Sequence, residues 1–324
     1  MESTAAEQLP EIIVLGPPAI FRSYDKKFSS RFRVLRPWES PLPLAQFLAA
    51  EAHNTQAALC SGESVPADLL RQLPALWLVV TPSAGVNHID LLECRRRGIA
   101  VANAATTFSA DVADLAVGLL LDVLRKISAG NRFVRNGLLS KKGTYPLGFK
   151  LGGKKVGIVG LGSIGLEVAK RLEAFGCTIS YHSRNKKPSL TYVYHPDICK
   201  LALESDILIL CCALTDQTHH MINREVLLAL GKEGVIVNIA RGPVIDEKAL
   251  VYCLQQGEIA GAGLDVFEDE PRVPNELFEL NNVVLTPHCA FFTEESLRDL
   301  YELICGNLEA FFSNKHLLSL VSEE

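Results

Sequence analysis

Lys154-Lys155-Val156-Gly157-Ile158-Val159-Gly160-Leu161-Gly162-Ser163-Ile164-Gly165-Leu166-Glu167-Val168-Ala169-Lys170-Arg171-Leu172 is the stretch whose reading decides the fold. A short apolar run ends in Gly160-x-Gly162-x-x-Gly165, and an amphipathic helical pattern follows directly. Strand, glycine turn and helix in that order predict a dinucleotide-binding unit. Gly160 permits the tight turn, Gly162 lets the backbone approach a pyrophosphate, and Gly165 lets the helix pack on its strand. The backbone of Leu161, Ser163 and Ile164 then faces the phosphates, with the positive end of the helix dipole behind it. A plain structural turn is the alternative, and the matching flanks on both sides weigh against it.

Downstream, strands are expected at 156–159, 178–181, 207–212, 235–239, 263–266 and 283–285, the number and order of a dinucleotide-binding sheet. The second is followed by Ser183-Arg184-Asn185-Lys186-Lys187, and no acid occurs between Cys177 and Thr191. A carboxylate there would hold the ribose hydroxyls of NAD; a hydroxyl beside cations suits the 2′-phosphate of NADP(H) instead. NADP(H) is therefore the expected cofactor, with NAD(H) possible, and a solvated basic loop is the competing reading.

Upstream, the first third alternates strands at 12–15, 32–35, 57–60, 76–80 and 99–101 with helices at 44–52, 67–72 and 89–97. Such alternation implies a parallel sheet. Arg33 interrupts the second strand, which places it towards an edge. One helix is expected from Ser109, as N-cap, to Asn136, apolar on several sides and so suited to a domain junction or subunit interface. Residues 141–146 read as an exposed loop, and 295–312 as a helix returning to the first lobe. The fold class is thus α/β: two Rossmann-like lobes with parallel sheets, a dinucleotide-binding domain at 107–287 and a flavodoxin-like substrate domain at 1–106 plus 288–324.

Bulk properties agree with an ordinary globular protein. The 324 residues are 48% hydrophobic and 21% charged, with a net charge of −5 that offers no surface for nucleic acid or anionic lipid. Arg95-Arg96-Arg97 reads as a solvated helix end. Nine scattered cysteines without a C-x-x-C pair suit reduced thiols in a cytoplasmic enzyme better than a disulfide framework or a metal site; Cys289, following His288, is the one to watch. The acidic start, residues 1–7, lacks the apolar core of a signal peptide, the last five residues are not a peroxisomal address, and no run is long enough to span a membrane.

Three later strand ends carry chemistry: Arg241 after Asn238-Ile239-Ala240, carboxylates in Asp265-Val266-Phe267-Glu268-Asp269-Glu270, and His288 after Pro287. Guanidinium binds a substrate carboxylate as a bidentate pair, imidazole gives a proton to a developing alkoxide, and a neighbouring Glu favours the protonated imidazole. Taken singly, each residue has a bland reading as surface Arg, solvated Glu or structural His.

Together with Gly160-x-Gly162-x-x-Gly165, the Asn238…Arg241-Gly242 segment, Gly261–Val266 with Glu270-Pro271, and Pro287-His288-x-Ala290, the chain resembles the D-isomer-specific 2-hydroxyacid dehydrogenases. The likeness extends to Thr81–Asp90 and Asn103-Ala104…Ala113–Ala116, and within the family it is similar to plant-type glyoxylate/hydroxypyruvate reductases. The resemblance implies that Arg241 binds substrate, that Glu270 and His288 form the acid pair, and that Asp265 contacts the nicotinamide side, with Ile239, Ala240 and Ala290 at the cofactor. It further implies that the backbone amides of Ala84 and Gly85 hold the substrate carboxylate and that the chain forms a homodimer through the helix near Ser109. NADPH-dependent reduction of a small 2-oxoacid, hydroxypyruvate or glyoxylate, to its D-2-hydroxyacid is the expected function. A bulkier aromatic 2-oxoacid such as 4-hydroxyphenylpyruvate, or a nucleotide-sensing corepressor-like role, are the alternatives. Two departures stand out: Ser183-Arg184 in place of the acid, and Phe291-Phe292, read as core or as a change in substrate size.

Overall fold

The computed structural model describes residues 9–16, 19–60 and 64–321. The acidic start and Ser322–Glu324 lie outside them. The described chain divides into two compact units, residues up to Phe108 with Thr293 onward, and Ser109–Phe292. The divisions fall at Ser109, where a helix begins, and just beyond the turn that carries His288.

In the first unit β1 (Glu11–Leu15), α1 (Ala19–Arg31), β2 (Arg33–Leu35), α2 (Leu44–Glu51), β3 (Ala57–Cys60), α3 (Ala67–Arg71), β4 (Leu78–Val80), α4 (Leu91–Arg97) and β5 (Ala100–Ala102) alternate. The sheet is parallel throughout, in the order β2-β1-β3-β4-β5, with the Arg33 strand at the edge as expected. The helix α1 was not legible, because only Ile20, Phe21 and Phe28 are apolar and buried among charged residues. α4 begins where Asp90 accepts the Glu93 amide and ends at Gly98 in the left-handed conformation, so its limits are chemical. Its basic end is only partly solvated: Arg96 pairs with Glu93, and Arg97 donates to the carbonyls of Leu70 and Leu73.

The second unit runs through α5 (Ser109–Arg125), α6 (Ile127–Arg135), α7 (Leu138–Lys142), β6 (Lys155–Val159), α8 (Ser163–Ala174), β7 (Thr178–His182), β8 (Val193–Tyr194), α9 (Ile198–Leu203), β9 (Ile207–Leu210), α10 (Arg224–Leu230), β10 (Val235–Asn238), α11 (Glu247–Gln255), β11 (Gly261–Leu264) and β12 (Val283–Leu285). Its parallel sheet is ordered β12-β11-β10-β9-β6-β7-β8, so strand order reverses beside β6, where the glycine turn sits. β8, two residues with Val193 exposed, adds a seventh strand that has too little pattern to be read in advance. The core interleaves Leu208, Ile236 and Ala262 of the strands with Leu227 and Leu250 of the helices. Each such Leu or Ile contributes about 1.5–3 kcal/mol by leaving water.

The single helix expected over 109–136 is two. Lys126 adopts a left-handed φ of 56°, and the Asp122 carboxylate accepts the Ser128 amide (2.7 Å) and hydroxyl, starting a new helix there. Helix α5 begins at Ser109 itself, which is buried and not outside as a cap. Its several apolar sides are covered within this unit, by α8 and by β10, β11 and β12. Lys141 and Lys142 close α7, so the exposed loop starts only at Gly143. Finally α12 (Glu294–Phe312), capped by Thr293, belongs to the first unit and packs on α1 and β4.

Candidate active site

The glycine turn between β6 and α8 meets two separate steric demands and leaves one glycine facing open space. Gly160 has φ 92°, and a Cβ there would lie 2.6 Å from the Cys212 backbone on β9's continuation. A Cβ on Gly165 would run into the Gly160 carbonyl and Ile158. Around Gly162 there is nothing within 4 Å of a Cβ, and α8 has no side-chain N-cap. A twelve-residue helix that opens on uncapped amides, beside a glycine facing open space, fits a bound pyrophosphate. Leu161 is buried beneath the turn, while Ser163 is exposed and Ile164 half-buried at its rim.

At the end of β7, Arg184 and Asn185 are exposed. The Ser183 hydroxyl donates to the Asn185 carbonyl at 2.7 Å, so its proton is already used within the loop. The loop is anchored by Tyr181, whose hydroxyl accepts the Lys187 amide at 2.8 Å, and by Tyr194, which donates to the Ser183 carbonyl.

β10, β11 and β12 end side by side, and their loops carry Arg241, Glu270 and His288. Asn238, buried at the end of β10, accepts the Ala240 amide and donates to the Arg241 carbonyl, so it shapes the turn through Ile239 and Ala240. Burial draws the half-exposed Arg241 guanidinium below its ordinary value, and the Glu270 charge opposes that. His288 Nδ1 lies 2.8 Å from Glu270 Oε2, and Glu270 Oε1 accepts the Phe267 amide at 3.0 Å. Burial pushes the Glu270 carboxyl up, but these two hydrogen bonds and the His288 and Arg241 charges outweigh it, and it sits below its ordinary value. An ionised carboxylate only accepts hydrogen bonds, so Nδ1 bears the shared proton and Nε2 is the nitrogen left to exchange one.

Asp265 turns out to be the organiser of the histidine loop. Its carboxylate accepts from Thr286 Oγ1 (2.7 Å) and from the amides of Cys289 (2.9 Å) and Ala290 (3.1 Å), and its carbonyl accepts the His288 amide (2.8 Å). Those bonds hold His288 at φ 51°, a left-handed conformation that a non-glycine residue adopts at a cost. Nothing in the local pattern pointed to this role. Burial, then Asp265, push the Cys289 thiol up, which keeps it a thiol beside the histidine. Phe291 and Phe292 are not core: Phe292 is exposed and its ring meets Phe291 edge-on at 4.6 Å.

In the first unit, the loop after β4 carries Ala84 and Gly85. Asn103 donates to the Ala84 carbonyl at 2.7 Å and accepts the Ala105 amide, and the Ala104 amide donates to Ser83. Behind it, Ser319 donates to the Asn103 carbonyl (2.6 Å) and accepts from buried Asn307 of α12 (2.9 Å). Asn103 belongs to one of the motifs quoted above, yet its spacing alone suggested no role. Among the described residues no group of His, Cys, Asp and Glu is arranged to hold a metal ion.

Residues 117–290 match the model of the D-isomer specific 2-hydroxyacid dehydrogenase NAD binding domain. The chain is 52% identical to a glyoxylate/hydroxypyruvate reductase of Arabidopsis thaliana over 96% of its own length and 97% of the relative's. It is 47% identical to a hydroxyphenylpyruvate reductase of Plectranthus scutellarioides over 92% and 95%. Its structure superimposes with TM-score 0.90 on an NADPH-dependent glyoxylate/hydroxypyruvate reductase from Sinorhizobium meliloti in complex with NADP and malonate, with 37% identity and 97% of each chain covered. A reversing parallel sheet with the glycine turn at its switch point, and Arg, Glu and His at adjacent strand ends, accord with these matches: the chain belongs to the D-isomer-specific 2-hydroxyacid dehydrogenases.

Proposed function

We propose that the protein reduces a small 2-oxoacid, hydroxypyruvate or glyoxylate, to its D-2-hydroxyacid with NADPH. The hydrogen-bonded Glu270–His288 pair, at the strand ends beside Arg241, is the observation that carries this reading. A bound nicotinamide dinucleotide supplies the hydride. Arg241 takes the substrate carboxylate as a planar fork. The backbone amides of Ala84 and Gly85, in the first unit, are likewise assigned to carboxylate binding. His288 Nε2 gives a proton to the oxygen of the reduced carbonyl while Glu270 stabilises the imidazolium. Amides at Gly162–Gly165 hold the pyrophosphate, Arg184 meets the 2′-phosphate, and Ile239, Ala240 and Ala290 line the nicotinamide end with Asp265 behind them.

NADPH oxidation measured side by side with hydroxypyruvate, glyoxylate and 4-hydroxyphenylpyruvate tests the substrate. The first two should turn over best; no turnover with any of them overturns the reading. The aromatic substrate keeps a place in the panel because a cavity of about 350 Å³ beside Glu270 and His288 is walled by Phe267, Pro271, Val273, Phe278, Leu285 and Pro287. For the cofactor, kcat/KM should be higher with NADPH than NADH, and Arg184→Ala should erode that preference by about ten- to a hundredfold, the worth of one charge-assisted bond. Equal efficiency with both cofactors in the wild type counts against Arg184.

The reading includes a homodimer in the cytoplasm, a location that nine unpaired thiols favour. The face offered to a second copy is α6, α7 and the segment after them, where Ile127, Val134, Leu139 and Leu147 are exposed. No helix among the described residues is long and apolar enough to cross a membrane.

A further inference from the structure

His220 ends the loop that follows β9, outside Arg241 and the acid pair. Its Nε2 lies 2.8 Å from Glu268 Oε1. Glu268 in turn exchanges reciprocal bonds with Glu247, the first residue of α11: the Glu268 amide donates to Glu247 Oε1 at 3.1 Å, and the Glu247 amide to Glu268 Oε2 at 3.2 Å. The His220 amide donates to the Pro243 carbonyl at 2.8 Å. One carboxylate therefore joins the loops after β9, β10 and β11, and the latter two carry Arg241 and Glu270.

The same loops touch through their backbones. A Cβ on Gly242 would overlap the Phe267 carbonyl group, and the Phe267 amide is the one that donates to Glu270. Any shift of Phe267-Glu268 is thus passed to Glu270 and to the residue after Arg241. His220 also keeps a left-handed φ of 51°, a costly conformation for a non-glycine residue that its bonds to Glu268 and Pro243 hold in place.

We propose that His220 and Glu268 are positioning residues for the reduction: their bond sets the spacing between the loop that anchors substrate and the loop that supports the proton donor. This rests on the roles given above to Arg241, Glu270 and His288. Neither residue touches substrate or cofactor in this scheme, so the signature is loss of turnover without loss of cofactor binding.

The test uses the full chain with NADPH and hydroxypyruvate, comparing wild type, His220→Ala, His220→Gln and Glu268→Ala. His220→Ala and Glu268→Ala should each lower kcat by about tenfold or more, as a displacement of a fraction of an ångström does. NADPH affinity, read by fluorescence, should stay within about twofold, and His220→Gln, whose amide nitrogen still donates to Glu268, should recover most of kcat. Wild-type kcat in His220→Ala overturns the proposal. So does a fall in NADPH affinity as large as the fall in kcat, or a glutamine variant no better than alanine, since either marks a merely structural contact. A wild-type protein that reduces none of the 2-oxoacids overturns the functional reading and this proposal with it. Wild-type turnover with an unaffected His220→Ala overturns this proposal alone.

Discussion

Loops in the two units are held in shape by opposite means. The Ala84–Gly85 loop rests on neutral groups: Asn103, Ser319 and Asn307 form a relay of amide and hydroxyl bonds, with the last two buried. The loops of Arg241, Glu270 and His288 rest on carboxylates, with Glu268 joining the first two to the loop after β9 and Asp265 filling the histidine turn. A neutral relay keeps its bonds at any ordinary pH, whereas a carboxylate support weakens once it is protonated. The contrast implies that the support of the Ala84–Gly85 loop is indifferent to pH while that of the Glu270–His288 pair is not.

His288→Ala should give the largest effect, because it removes the proposed proton donor from the charged side. kcat should fall by about 10²–10⁴ with NADPH affinity retained. Turnover at the wild-type rate would strip His288 of its role.

Arg241→Lys should come next: the charge stays but the fork is lost, lowering kcat/KM by about 10- to 100-fold, one charge-assisted bond's worth. An unchanged kcat/KM for hydroxypyruvate returns Arg241 to a structural residue.

Asn103→Ala probes the neutral side. It should raise KM for the 2-oxoacid by roughly two- to tenfold, the worth of one neutral hydrogen bond, while leaving the NADPH KM alone. The factor should be the same at the acid and alkaline ends of the activity range; a factor that varies with pH would break the contrast.

Glu270→Gln gives the smallest effect on stability, and its sign is set by the depressed carboxyl. A carboxyl held below its ordinary value stabilises the fold above the unfolded pKa and loses that contribution as pH falls through the folded one. Wild type should therefore melt higher than the variant near neutrality, with the gap closing in acid. A gap that stays constant down to the acid end would show that the pair adds no titrating support.

The glycine turn was legible because Gly160 and Gly165 answer separate steric demands and Gly162 leaves its backbone open, and such local requirements survive any tertiary context. That Arg241, Glu270 and His288 come together was legible because they follow three successive strands of a parallel sheet, whose ends lie side by side. The break at Lys126 was not, since Asp122 and Ser128 create it by a side-chain bond inside an otherwise unbroken apolar pattern. Asp265 illustrates a different limit. The resemblance made it a cofactor contact, and only the fold reveals three donors from residues 286–290 on its carboxylate and a fourth on its carbonyl. The same holds for His220, whose partner lies 48 positions away.

Gly242 adds a warning for saturation mutagenesis. Any substitution there drives a side chain into Phe267, so every variant will be scored inactive and the position will look like a substrate contact next to Arg241. The geometry says that such a hit measures clearance between two main chains. Suppressors should then arise by trimming or re-routing residues 266–268, rather than at positions that would touch the bound acid.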